Sequence, residues 1–136
     1  IYETLNERKA IDDIMVKLRV LVQELGIHLM VVSHLSRPQG TGHEEGANIS
    51  LNQLRGSHSL AQLPDMIFAL ERNTQAVNEL ERNRTLVRVL KNRFSGESGP
   101  AVMLQWHKDT GRLTELDINS TVEDASQELT DDREFD

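Results

Sequence analysis

Apolar side chains at Ile11, Ile14, Met15, Leu18, Leu21, Val22 and Leu25 return at steps of three and four. That spacing lines up one side of a helix, predicted over residues 3–25. Arg8, Lys9, Asp12, Asp13, Lys17 and Arg19 fill much of the remainder, and Gly26 is a left-handed stop. Residues 27–33 (IHLMVVS) then form a nearly unbroken apolar run. After a helix and a glycine, such a run predicts a buried strand parallel to its neighbours. Residues 34–50 are polar and irregular, with Pro38, Gly40, Gly42 and Gly46. A loop of that length inside a domain is usually functional. Ser50 and Ser57 are placed to cap two short helical turns, the second ending before Pro64. Residues 66–70 (MIFAL) predict a second buried strand, and residues 73–83 a polar connection. Residues 85–93 and 100–107 predict two strands joined by the glycine loop at 96–99. Asp109-Thr110-Gly111 is a turn before a last short strand over 112–116.

The order helix, strand, loop, strand, meander predicts an α/β domain whose mixed sheet starts parallel and ends antiparallel. In open α/β sheets ligands sit beyond the carboxyl ends of the parallel strands. His34 and Arg72 both follow such ends, so the sheet is expected to bring them to one rim.

Composition narrows the classes. A chain of 136 residues suffices for one domain, although only 38% of it is hydrophobic and 4% aromatic. With no cysteine, disulfides and cysteine-ligated zinc are excluded. No apolar run reaches membrane-spanning length and no signal-peptide pattern opens the chain. A chain that begins at Ile1, within a predicted helix, is expected to be an excised or split piece. The net charge of −7 is unevenly spread. Residues 115–136 carry nine acidic side chains against Arg133 alone, which leaves the body near neutral. The segment 117–136 is therefore expected to be an acidic disordered tail. It is either a solvated end or a docking arm for a basic partner, with Phe135 as apolar anchor.

The candidate chemistry is cationic. Lys91 and Arg93, two apart on a strand that runs into a glycine loop, point the same way and suit a polyanion such as a triphosphate. A solvated strand face is the plainer alternative. His34 could hydrogen-bond a phosphate or a metal-bound water, or simply end a strand. Arg72 offers a fork for phosphate oxygens or a surface ion pair. Trp106, the single tryptophan, could stack on a nucleobase or fill the core. The loop after His34 holds Arg37 beside Glu44 and Glu45, a mixed signal for nucleic acid. Arg55-Gly56-Ser57 presents small residues whose backbone N–H groups could hold phosphate. His28, His58 and His107 lack metal-ligand spacing, and no metal site is expected. The chain has no GxxxxGK[ST] loop and no apolar strand ending in Asp before the first helix, so it cannot complete a phosphate-loop ATPase site alone.

Taken together, these stretches resemble the C-terminal half of a RecA-like hexameric replicative helicase, and most the helicase domain of phage primase–helicases. The resemblance is carried by Glu7–Asp12, Val31–Leu35, His43–Gly46, Leu54–Ser57, Ala69–Asn73, Leu90–Gly96 and Asp109–Gly111, in order across residues 7–116. It implies a domain over 1–116 without Walker A or Walker B. It further implies 5′ to 3′ unwinding of DNA in phage replication, driven by ATP or dTTP with Mg²⁺. These would be bound mainly by the missing N-terminal half and by a neighbouring subunit. By resemblance, His34 is the sensor of γ-phosphate. Arg93 is the arginine finger for the neighbour's nucleotide, and Lys91 its companion cation. Arg72 and Trp106 bind nucleotide. Arg37 with its loop, and Arg55, Gly56 and Ser57, face single-stranded DNA. Phe135 and the acidic tail would dock on the replicative DNA polymerase. The implied partners are single-stranded DNA, the N-terminal half, a hexameric ring of like subunits and the polymerase, in the cytoplasm of an infected bacterium and away from membranes. The chain by itself is expected to be inactive. The competing reading is a non-catalytic RecA-like adaptor with a docking tail, which needs neither Lys91 nor Arg93.

Overall fold

A computed structural model describes residues 2–36, 40–54 and 58–116. Helix α1 (Tyr2–Leu25) leads, and Gly26 closes it at φ 61°, the left-handed geometry that favours glycine. A 3₁₀ turn (Leu51–Gln53) and helix α2 (Ser59–Gln62) precede strand β1 (Met66–Glu71). Helix α3 (Glu79–Arg82) comes next, within the segment expected to be plain connection. Strands β2 (Arg84–Asn92), β3 (Gly99–His107) and β4 (Arg112–Leu116) complete the described elements. The Gln53 side chain accepts from the Ser50 N–H at 2.9 Å, so Ser50 opens its turn as expected. His58 stands at the N-cap of α2.

The four strands lie in sequence order, β1-β2-β3-β4, and each neighbour pair is antiparallel. This corrects the expected parallel start. Residues 27–34 form no strand, and the run is exposed, with Met30 at 88% and Val32 at 90%. A buried strand needs a hydrogen-bonded neighbour and cover on both faces, and the described residues supply neither. Strand β1 is likewise only half buried. Ala69 and Glu71 are buried on one face of this edge strand, while Met66, Phe68 and Leu70 are exposed on the other.

Helix α1 repeats this division. Met15 is buried and Ile11, Leu18 and Val22 are half-buried, and α1 packs against α2. Ile14, Leu21 and Leu25, one step round the same stripe, are exposed. Buried apolar residues among those described are few: Met15, Ile49, Ala69 and Ala76. The hydrophobic pattern is thus written for a larger core than these residues close. What the sheet does fix well is the relative placement of its two ends.

Candidate functional site

At one end of the sheet, α3 organises an arginine and a tryptophan. Asn78 caps the helix, its side chain accepting from the Leu80 N–H at 2.8 Å. The exposed carbonyl of Arg82 at the helix's last turn accepts from Arg72 Nε at 2.6 Å, and Asn83 Oδ1 accepts from Arg72 Nη2 at 3.2 Å. The backbone N–H of Trp106 donates to the Asn83 carbonyl at 2.9 Å. Arg72 and Trp106 therefore share one anchor, the Arg82-Asn83 step. Trp106 is half-buried, and its ring edge lies in ordinary contact distance, 3.6 Å, of the Cβ position at Gly111. Two adjoining cavities of about 390 and 290 Å³ open here, one lined by Arg72 and Arg84, the other by Asn83 and Trp106, with Asn78 and Leu80 common to both. Among its lining groups, Arg84 Nε is buried without a partner.

Lys91 and Arg93 occupy the other end. Met66, the first residue of β1, pairs with Asn92, the last of β2. Lys91 Nζ donates to the carbonyls of Ala61 and Gln62, both at 2.8 Å, at the C-terminal end of α2. Arg93 Nη2 donates to the Gln62 carbonyl at 2.8 Å, and Nη1 meets Asp65 Oδ1 at 3.0 Å. Both heads thus gather on one segment, 61–65, as a two-residue strand spacing predicts, although Arg93 stands just past the strand. Their partners lie 28 to 31 residues earlier in the same chain. The Arg93 side chain is nevertheless 45% exposed, and these bonds use two of its five N–H groups. Arg19 from α1 reaches the second oxygen of Asp65 at 2.6 Å. That hydrogen bond is the main reason the Asp65 carboxyl is held below its usual range. Partial burial opposes it, and the charges of Arg19, Arg93 and Lys91 add to it. Lys91 is shifted down, first by burial and then by Arg93, with Asp65 opposing.

A third cluster was missed in the sequence. Glu71 is buried and takes a two-pronged bond from Arg88, Nε to Oε1 at 2.7 Å and Nη2 to Oε2 at 3.0 Å. Oε1 also accepts from the Ile49 N–H at 2.7 Å, and Arg88 Nη2 reaches Asn48 Oδ1 at 3.2 Å. Arg88 lies opposite Ala69, so it meets Glu71 on the diagonal of one sheet face. Its pKa is raised, chiefly by the hydrogen bond to Glu71. Two signals were present: a glutamate ending an apolar strand, and an arginine breaking the alternation of Leu86, Arg88 and Leu90.

The expected meeting of His34 and Arg72 at one rim of parallel strands does not hold as drawn, because β1 runs antiparallel to its neighbour. His34 is exposed at the end of the apolar run, just before the Leu35–Leu54 bridge. Arg37, Arg55, Gly56, Ser57 and Phe135 lie outside the described residues. Among the described residues no group of three or more histidine, aspartate or glutamate side chains is placed to hold a metal, and no helix is long and apolar enough to cross a membrane.

Comparison with known proteins decides the family. The DnaB-like helicase C-terminal domain matches residues 2–115. The chain belongs to that family. It is also 45% identical, over 112 residues, to a DNA helicase/primase of Enterobacteria phage T3. That match covers 82% of this chain and 19% of the relative, so the chain spans about a fifth of the phage protein.

Proposed function

We propose that this DnaB-like segment supplies the trans half of a nucleotide site in a replicative DNA helicase ring. One observation carries the reading. The Arg72–Trp106 corner and the Lys91–Arg93 pair stand at opposite ends of β2, which at strand rise is roughly 25 Å long. That exceeds the span of a nucleoside triphosphate. Two sites that far apart in one subunit cannot grip one nucleotide, but in a head-to-tail ring the cation end of one subunit meets the base end of the next.

In this arrangement Trp106 stacks on the base, and Arg72 lies beside it. ATP or dTTP with Mg²⁺ is held mainly by a phosphate-loop half that this chain lacks. Arg93 and Lys91 from the neighbour approach the γ-phosphate, where fixed positive charge stabilises the transition state more than the bound substrate. Asp65 and the Gln62 carbonyl hold the Arg93 fork in place before the neighbour arrives. His34, at the mouth of the loop carrying Arg37, senses the γ-phosphate and passes its state to single-stranded DNA. Arg55, Gly56 and Ser57 form a second DNA contact, and translocation runs 5′ to 3′. The open run at 27–32 and the exposed Phe68 and Leu70 suit a surface covered by the phosphate-loop half. The acidic segment 117–136 with Phe135 suits a basic surface on the replicative polymerase.

The test is Arg93→Ala in a full-length helicase/primase carrying this segment. DNA-stimulated hydrolysis should collapse while nucleotide affinity is kept. Unchanged turnover refutes the trans-cation role and leaves the adaptor reading.

A further inference from the structure

The loop that follows His34 is stitched to the nucleotide corner by a dense set of contacts, and the proposed roles do not use them. The Glu44 carbonyl accepts from the Thr74 N–H at 2.8 Å, from the Gln75 N–H at 3.3 Å and from Thr74 Oγ1 at 3.2 Å. Glu45 and Asn73 form an isolated antiparallel bridge. Gly46, at φ 80°, approaches so closely that a Cβ there would stand 3.1 Å from Asn73 Cβ. Neither that backbone nor that distance admits another residue without displacement. Glu71 then fastens the Ile49 N–H and, through Arg88, reaches Asn48. The loop is thus tied to residues 71, 73, 74 and 75, the segment on either side of Arg72.

We propose that the Glu71–Arg88 pair is a positioning clasp that couples the Arg72 corner to the 42–50 loop. It would be a second route between nucleotide and DNA, separate from His34. This rests on the helicase reading above. The physical basis is rigidity. A carboxylate at 6% exposure, holding a guanidinium at two points and a backbone N–H at a third, fixes the register of loop against strand. A shift of Arg72 on nucleotide binding moves Glu71, its chain neighbour, and Glu71 carries Ile49 with it. Cutting the clasp leaves nucleotide contacts in place but lets the loop respond independently of them.

The experiment uses a full-length helicase/primase carrying this segment, with Glu71→Gln and, separately, Asn48→Ala. Glutamine keeps an acceptor for Ile49 while removing the charge that holds Arg88. Asn48 is exposed, so its truncation leaves folding intact should Glu71→Gln fail to fold. Hydrolysis is measured with and without single-stranded DNA across nucleotide concentrations. The expected result is a loss of DNA stimulation of roughly fivefold or more for Glu71→Gln. A smaller loss in the same direction is expected for Asn48→Ala, with DNA-free turnover and KM for nucleotide unchanged. The proposal is overturned if both variants keep wild-type stimulation. It is equally overturned if turnover with and without DNA falls in proportion, the mark of a merely structural pair. A wild-type protein that DNA does not stimulate at all would remove the helicase reading itself, and the clasp with it.

Discussion

Mixing two defective subunits in one ring separates a shared site from a self-contained one. Let one subunit carry Arg93→Ala with an intact phosphate loop, and the other an inactivated phosphate loop with Arg93 intact. Trans arginines contribute about 10³–10⁵-fold to phosphoryl transfer. Arg93 already spends two of its N–H groups on Asp65 and Gln62, and Lys91 remains beside it. The lower end applies, a loss of about 10³-fold or about 4 kcal/mol in activation free energy. Either variant alone is then nearly silent. In a random equal mixture of a head-to-tail ring, about one quarter of interfaces pair a sound phosphate loop with a neighbour's sound Arg93. Steady-state hydrolysis should therefore recover to about a quarter of wild type if sites fire independently, and to less if they fire in concert. The assay is nucleotide turnover on single-stranded DNA after subunit exchange. A mixture no more active than its two parents, with mixed rings verified by mass, refutes the shared site.

The remaining predictions are independent of that one. Trp106→Ala should weaken nucleotide binding by roughly 5- to 150-fold, the loss of one base–aromatic stack, with Trp106→Phe much milder; nucleotide titration checks it. Asp65 has its pKa lowered below 3.8, so its ionised form adds stability above that pH and the gain is lost as pH falls through the lowered value. Asp65→Asn should lower thermal stability at neutral pH and leave it nearly unchanged at acid pH, so that the acid limb of a thermal-unfolding series flattens. Val32→Asp should abolish capture of this segment by a phosphate-loop half in co-purification, because the association would bury an unpaired carboxylate.

Much of the fold was legible because local chemistry wrote it. The three- and four-residue spacing with Gly26 gave α1, and turn residues around 96–99 and 109–111 bracketed the meander within a residue or so. The failures have one cause. Residues 27–33 and 66–70 read as buried because their apolar density answers to cover that the described residues do not provide. The expected parallel sheet fell with them. Lys91 and Arg93 were found from strand spacing. Asp65, which holds Arg93, and Arg19, which holds Asp65, come from distant stretches and leave no periodic trace. Glu71 and Arg88 were each visible as oddities, but only register across β1 and β2 makes them a pair.

A nucleotide-bound structure of the assembled ring would test the shared site at atomic distance. The account predicts Arg93 of one subunit at the γ-phosphate, with Arg72 and Trp106 of the next subunit at the base of that same nucleotide. Finding every one of these side chains on a nucleotide held within a single subunit, or Arg93 still closed on Asp65 and Gln62 with the phosphate out of reach, would contradict it.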